Sequence, residues 1–134
     1  MRFLIDTNIF LEVLLEQEKV EEAKTLLLKT KEYDFFMSDF SLHSIGLLLF
    51  YQKQHNIFQQ FLKDMIFNAG MMITSLSVDD METVIESAKR FKLDFDDAYQ
   101  YVIAEKYGLA IISFDSDFDR TERGRTTPGI ALKK

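Results

Sequence analysis

The sequence lacks cysteine, and it contains one proline and five scattered glycines among its 134 residues. Without cysteine, neither a disulfide framework nor a cysteine-ligated metal site can form. The scattered glycines leave no glycine-rich phosphate loop and no linker rich in glycine or proline. We therefore predict a single domain over residues 1–134, whose core is built from the 47% of residues that are hydrophobic.

Long apolar runs are also missing. The longest apolar stretches, such as residues 45–51, are far shorter than the ~20 residues of a membrane-spanning helix. No signal-peptide pattern follows Met1, and the absence of cysteine is compatible with a reducing compartment. We therefore expect a cytoplasmic protein without membrane association.

Basic charge is scarce, since the net charge is -6 and the pI is about 4.9. This balance argues against passive electrostatic binding of nucleic acid, which needs a basic surface. Five of the sixteen lysines and arginines nevertheless fall in the last fifteen positions. Such a basic end could hold a polyanion, particularly one that divalent cations bridge to the acidic remainder of the protein.

Short apolar runs alternate with amphipathic stretches along the chain. We predict strands at residues 2–5, 34–37, 71–74 and 109–113, and a last edge strand at residues 130–132. The stretches between these runs have the spacing of apolar residues that is typical of helices. This alternation predicts an α/β fold with a mostly parallel central sheet. Right-handed crossovers would bring successive strand ends to the same edge of that sheet.

Aspartates occur where the predicted strands end or the predicted helices begin. Asp6 follows the first strand, Asp115 follows the strand at 109–113, and Asp97 lies just inside a helix whose predicted N-cap is Asp94. Any one of these residues is explained by capping or solvation alone. Jointly, grouped carboxylates repel each other, and hard divalent cations prefer carboxylate ligands. The sequence therefore predicts a cation site at this edge.

Three runs of residues, in this order, resemble the PIN domain family. They are Phe-Leu-Ile-Asp-Thr-Asn at 3–8, Phe-Asp-Asp-Ala at 95–98 and Ile-Ser-Phe-Asp-Ser-Asp-Phe at 112–118. Each motif is weak alone, but three in order at this spacing are specific, and the resemblance covers essentially the whole chain. It implies a three-layer α/β/α sandwich that binds Mg²⁺ or Mn²⁺ and cleaves single-stranded RNA. Many small members, resembling the VapC group, are toxins with an antitoxin partner.

The resemblance also assigns roles to individual residues. It implies a catalytic role for Asp6, Asp97 and Asp115, metal binding by these three and Asp117, and supporting roles for Asn8 and Ser113. Beside this site, Arg120, Arg123 and Arg125 are expected to contact RNA phosphates. A solvated loop is an equally good interpretation of the three arginines. The expected activity is that of a divalent-metal-dependent endoribonuclease.

One position departs from the family pattern. The family usually carries a glutamate on the helix after the second strand, six residues beyond a serine, and counting from Ser38 this position is Ser44. Serine cannot replace the charge of a carboxylate, and it can serve only as a supporting residue. Asp39 is more simply a cap, and His43 a packed or solvated residue. The substitution motivates a second hypothesis, a catalytically weakened PIN-like domain that binds RNA or protein.

Phosphoryl-transfer and receiver-like domains also gather aspartates at such an edge. Neither a glycine-rich loop nor a lysine signature after the last core strand supports this third class, which we therefore disfavour.

Aromatic residues are abundant, with thirteen phenylalanines. Phe50, Tyr51, Phe58 and Phe61 fall on adjacent predicted helices, where they form either part of the core or a face for a partner. Core packing is the favoured interpretation for these four side chains. We also expect the protein to form a homodimer.

Overall fold

The computed structural model describes residues 1–133 and contains a four-stranded parallel sheet in the order β3-β2-β1-β4. The strands are β1 (Arg2–Ile5), β2 (Asp34–Ser38), β3 (Met72–Thr74) and β4 (Ala110–Ile112). Leu4 of β1 lies beside Phe36 of β2 and Ile111 of β4. This register brings the carboxyl ends of β1 and β4 together, so that the segments after them start side by side.

Helices connect the strands and cover the sheet. They are α1 (Thr7–Leu14), α2 (Val20–Leu27), α3 (Asp39–Tyr51), α4 (His55–Phe61), α5 (Met81–Phe91), α6 (Phe95–Tyr107) and α7 (Pro128–Ala131). A π-helix follows α4 at Leu62–Asn68, and 3₁₀ turns lie at Val78–Asp80 and Ser116–Arg120. Within residues 1–133, none of the helices has the length and apolar character needed to cross a membrane.

The alternation of side chains along β1 explains the layering of the domain. Phe3 and Ile5 point to one face of the sheet, where they pack against apolar residues of α1, α2, α3, α4 and α7. Leu4 points to the opposite face and packs against residues of α5 and α6. Helices therefore cover both faces of the central strand β1, as in other all-parallel sheets, whereas Met72 and Ile73 of the edge strand β3 are exposed. The predicted three-layer α/β/α sandwich is confirmed.

Local capping sets the start of the two helices that reach the acidic edge. The hydroxyl of Ser38 accepts a hydrogen bond from the backbone N–H of Ser41 at the start of α3 (2.9 Å). Asp94 accepts one from the N–H of Asp97 at the start of α6 (3.2 Å). Side chains that accept from the first-turn N–H groups stabilise helix starts at these positions. The predicted N-cap role of Asp94 and the inward position of Asp97, which is 8% exposed, are confirmed.

The edge strand predicted at 130–132 is wrong, because these residues follow the start of the short helix α7. The hydroxyl of Thr127 accepts a hydrogen bond from the N–H of Ile130 (3.3 Å), and Pro128 occupies the first helical turn. A threonine N-cap followed by proline favours a helix, since proline presets φ and needs no N–H partner there. Ala131 is thereby buried in the core beside α2.

The aromatic side chains of α3 and α4 divide between core and surface. Phe61 is buried and packs edge-on against Phe10, with ring centroids 5.5 Å apart, while the half-buried Phe58 stacks beside it at 6.5 Å. Core packing is therefore correct for Phe61. It is wrong for Phe50 and Tyr51, which are 54% and 87% exposed.

Candidate metal centre

Asp6 leaves the end of β1 and is held by donors from three parts of the chain. Its Oδ1 accepts hydrogen bonds from the N–H of Thr7 and from Nε2 of Gln100, both at 2.9 Å. Its Oδ2 accepts from the hydroxyl of Ser113 at 2.7 Å and from Nδ2 of Asn8 at 3.5 Å. Burial raises the pKa of the Asp6 carboxyl, and the hydrogen bonds from Gln100, Ser113 and Thr7 oppose that rise.

Asn8 and Ser113 join the end of β1 to the end of β4. Ser113 donates to Asp6 and accepts from Nδ2 of Asn8 (3.1 Å) and from the N–H of Asp115 (2.9 Å). Oδ1 of Asn8 accepts from the N–H of Phe114 (3.2 Å). One donor and two acceptor sites are all that a serine hydroxyl offers, so Ser113 is fully satisfied. These contacts fix the segment that carries Asp115.

Three carboxylates converge beside Asp6. Asp97, Asp115 and Asp117 each place an oxygen so that the three atoms lie within 4.8 Å of one another. Asp97 projects from the first turn of α6 and is buried, while the other two are half-buried. Asp115 also caps the 3₁₀ turn after β4, since its Oδ1 accepts from the N–H of Asp117 (2.8 Å). The sequence-predicted acids therefore lie together in the fold.

The position of Asp97 is unfavourable for a negative charge. Burial, followed by the charge and close contact of Asp115 and the charges of Asp94 and Asp6, raises the pKa of Asp97 to about 8. Without a cation, this carboxyl is therefore mostly protonated at neutral pH. A cation favours the ionised form, because metal ligands must be deprotonated and an opposite charge lowers a carboxyl pKa.

A pocket of about 260 Å³ opens onto these acids and is lined in part by Asp6, Asp97, Asp115, Ser44 and Gln100. A larger cavity of about 580 Å³ lies between α1, α2 and α4 and is lined mainly by apolar side chains. The larger cavity lacks the carboxylate cluster, so the smaller pocket is the candidate site. Three oxygen ligands at this spacing fit a hard cation such as Mg²⁺ or Mn²⁺, with water completing its coordination.

The helix α3 lines the pocket in part with Ser44, which is half-buried. The other polar residues considered on this helix lie elsewhere. Ser38, and not Asp39, is the N-cap, and the carboxylate of Asp39 accepts from the hydroxyl of Tyr99 (2.9 Å). His43 is exposed and lines a separate surface hollow.

Gln100 is a site residue that the sequence reasoning missed. It is 1% exposed, and its Nε2 donates to Oδ1 of Asp6 and to the hydroxyl of Ser41, both at 2.9 Å. Its position three residues after Asp97 places both side chains on one face of α6. The sequence does carry a signal for this role. Gln100 is a polar residue within the apolar stretch of a helix, three residues after the predicted ligand Asp97.

The three arginines are engaged with the protein itself. Arg120 donates to Oδ1 of Asp117 (3.0 Å) and to two backbone carbonyls at the end of α5. Arg125 pairs with Asp119 and also reaches a backbone carbonyl after β4. Arg123 donates to the carbonyl of the residue before β4 (2.8 Å), at the opposite end of that strand from the acids. The fold thus brings Arg120 to the cluster but not Arg123.

An α/β/α domain whose parallel strands end in converging polar side chains belongs to the class of open α/β proteins whose ligand sites lie at the carboxyl edge of the sheet. The sequence model of the PIN domain family matches residues 3–124. The chain therefore belongs to the PIN domain family.

Solved structures with the same fold include VapC20 of Mycobacterium tuberculosis, a sarcin–ricin loop cleaving toxin. That match has a TM-score of 0.76 and 19% identity, and it covers 94% of this chain and 99% of VapC20. A toxin–antitoxin complex from Klebsiella pneumoniae matches with a TM-score of 0.73 at 22% identity, over 94% and 97% of the two chains. FitAcB of Neisseria gonorrhoeae matches at 0.71 and 19%, over 96% and 99%. No curated protein matches the sequence significantly.

The raised pKa of Asp97 predicts a pH-dependent stability of the metal-free protein. The pKa of this carboxyl is ordinarily 3.8, and it is about 8 in the folded protein. Between these values the unfolded chain releases a proton that the native state retains. The free energy of unfolding therefore falls as pH rises from 4 to 8, by at most ~1.4 kcal/mol per pH unit from this group.

Urea unfolding in EDTA at pH 5 and pH 8 measures this effect. We expect the wild type to lose more stability over this interval than Asp97→Asn, which cannot titrate. Asp34→Asn, an exposed carboxyl at the opposite end of the sheet, is the matched control and should behave as the wild type. Equal pH dependence of the wild type and Asp97→Asn would contradict the assignment.

Proposed function

We propose that this protein is a divalent-metal-dependent endoribonuclease of the PIN type that cleaves single-stranded RNA. The observation that carries the proposal is the convergence of Asp97, Asp115 and Asp117, within 4.8 Å of one another and beside the buried Asp6, in a chain of the PIN domain family. The similarity in fold to VapC20, a sarcin–ricin loop cleaving toxin, supports an RNA substrate.

The carboxylates of Asp97, Asp115 and Asp117 would hold Mg²⁺ or Mn²⁺, with Asp6 as the fourth acid behind them. A cation bound there supplies an activated water for in-line attack on a phosphodiester and neutralises the charge that develops on the phosphate. Asp97 gives up its proton when the site is filled, so its raised pKa makes occupancy increase with pH.

The residues around the acids orient them and supply positive charge. Asn8 and Ser113 hold Asp6 and the backbone before Asp115 in place. Arg120, which already contacts Asp117, and Arg125, which reaches the backbone after β4, are proposed to contact phosphates beside the pocket. Their positive charge is local, and it offsets the overall charge of -6 where RNA would approach.

Cleavage of a labelled single-stranded RNA with Mg²⁺ or Mn²⁺ tests the proposal. We expect Asp6→Asn and Asp115→Asn each to lower the cleavage rate by at least about 100-fold, since even outer-shell changes at metal sites cost 10–100-fold. Asp34→Asn, remote from the pocket, is the control and should retain wild-type activity. Equal activity of the wild type and Asp6→Asn, or no cleavage under any condition with either metal, would overturn the proposal.

A second candidate function follows from the presence of Ser44 in the acidic pocket. If Ser44 occupies the position of the usual family glutamate, α3 supplies a hydroxyl where a carboxylate would strengthen the hold on a cation. A PIN-like domain with such a weakened site would act as a module that binds RNA or protein.

Substitution of Ser44 separates the two functions. We expect Ser44→Glu to raise the affinity for Mn²⁺ and the cleavage rate, because it adds a charged ligand to the pocket, whereas the matched Ser44→Ala should change neither much. Calorimetric titration with Mn²⁺ and the RNA assay provide the two measurements. A wild type that binds no Mn²⁺ and cleaves no RNA, together with an active Ser44→Glu, would favour the binding module. No gain in Ser44→Glu means that this position does not correspond to the family glutamate.

We also propose that the protein is the toxin of a toxin–antitoxin pair. The similarity in fold to a toxin–antitoxin complex supports this role. The antitoxin would insert a segment into the acidic pocket and present a basic side chain to the carboxylates. A short overlapping reading frame for a DNA-binding protein immediately upstream of the gene would support the pairing, and a gene without such a neighbour would count against it.

A homodimer is the proposed assembly, formed through the exposed face of α3. Leu47, Phe50 and Tyr51 are 61%, 54% and 87% exposed, and neighbouring exposed apolar side chains of this size are typical of interaction surfaces.

Light scattering should give twice the chain mass of 15.7 kDa, and Phe50→Glu should shift the protein towards the monomer. Leu28→Glu, at an exposed apolar position at the C-cap of α2, should leave the mass unchanged. A monomeric wild type would exclude the dimer.

A further inference from the structure

The buried amide of Gln100 has one polar atom that no described residue satisfies. Its side chain is 1% exposed and lines the acidic pocket. The nitrogen Nε2 makes two hydrogen bonds, whereas the oxygen Oε1 is buried and has no hydrogen-bond partner among residues 1–133. Buried side-chain oxygens without a donor are uncommon in folded proteins. The unpaired oxygen therefore indicates that a bound ligand supplies its missing partner.

The neighbours of the amide determine which of its atoms is the oxygen. Nε2 lies 2.9 Å from Oδ1 of Asp6 and 2.9 Å from the hydroxyl of Ser41. An ionised carboxylate only accepts hydrogen bonds, so the amide atom that faces it must be the nitrogen. A flipped amide would place two acceptor oxygens against each other. Oε1 is therefore the atom left without a donor.

The surroundings of this oxygen favour a cation. Gln100 shares its helix face with Asp97, three residues earlier, and its amide touches Asp6. Once a cation is bound and these carboxylates are ionised, they offer no donor, so in the filled site they cannot satisfy a second acceptor. A hard divalent cation, in contrast, is stabilised by amide oxygens and carboxylates together, since glutamine carbonyls are among the ligands of such ions.

We propose that Oε1 of Gln100 is a neutral ligand of the divalent cation held by Asp97, Asp115 and Asp117. This inference rests on the proposed function only in requiring a cation in the pocket. The amide adds a ligand without adding negative charge to a site where carboxylates already repel one another. It also adds an oxygen ligand to a pocket to which α3 contributes Phe40 and Ser44 but no carboxylate.

Two substitutions separate this ligand role from a purely structural one. Gln100→Leu removes both polar atoms, whereas Gln100→Glu retains an oxygen in place of Oε1 and loses the Nε2 donor to Asp6. Gln59→Leu, an exposed glutamine on α4, is the matched control. The measurement is the dissociation constant for Mn²⁺ by calorimetry at pH 8. Thermal unfolding in EDTA establishes that each variant is folded at the temperature of the titration.

If Oε1 binds the cation, Gln100→Leu weakens Mn²⁺ binding by at least about 10-fold, and Gln100→Glu binds within threefold of the wild type or more tightly. If Gln100 only positions Asp6 through Nε2, both variants bind equally weakly, and the proposal is overturned. Wild-type affinity in Gln100→Leu also overturns it. Should Gln100→Leu fail to fold, Gln100→Glu alone decides, and a loss of 10-fold or more in that variant counts against the ligand role.

The wild-type titration and the RNA assay keep this inference separate from the proposed function. If the wild type binds Mn²⁺ but cleaves no RNA, the proposed ribonuclease activity is excluded. The ligand role of Gln100 is then decided by the two variants. RNA cleavage and Mn²⁺ binding that are both unaffected in Gln100→Leu overturn the ligand role alone. A wild type that binds no Mn²⁺ overturns both.

Discussion

The buried carboxylate of Asp6 organises the functional edge of this domain. It lies at the end of the central strand β1 and accepts hydrogen bonds from the start of α1, from Gln100 on α6 and from Ser113 after β4. A carboxylate can be buried only if such donors replace the water that it loses. The need for these donors therefore ties α6 and the segment after β4 to the end of β1. Those two elements carry Asp97 and Asp115.

Burial raises the pKa of both Asp6 and Asp97, but their polar neighbours differ. Hydrogen bonds from Gln100, Ser113 and Thr7 oppose the rise at Asp6, whereas the charges around Asp97 add to the effect of burial and raise its pKa to about 8. Residues with shifted pKa values are concentrated at functional sites, because such shifts require a specific environment. Here the environment is one that a divalent cation would relieve.

The strand ends and helix starts that carry the acids were predictable from sequence because their signals are local. The alternation of Phe3, Leu4 and Ile5 between two apolar faces reflects the period of two in a strand. Asp94 precedes its helix in the position where a carboxylate satisfies first-turn N–H groups. The same local signals at Thr127 and Pro128 indicate a helix, and the edge strand predicted from the apolar residues 130–132 is wrong because the cap and the proline favour helical backbone there.

The sequence by itself determined the α/β class, the order of the strands and helices as far as β4 and the placement of three aspartates at one edge of the sheet. Only the tertiary structure decided which polar groups meet there. Gln100 contacts Asp6 across 94 positions, and Ser113 contacts it across 107. Such contacts depend on how α6 and β4 pack on the central strand, and neither periodicity nor capping carries that information. The same packing places Arg120, and not Arg123, beside the acids, because each guanidinium binds the nearest carbonyls and carboxylates of the folded chain.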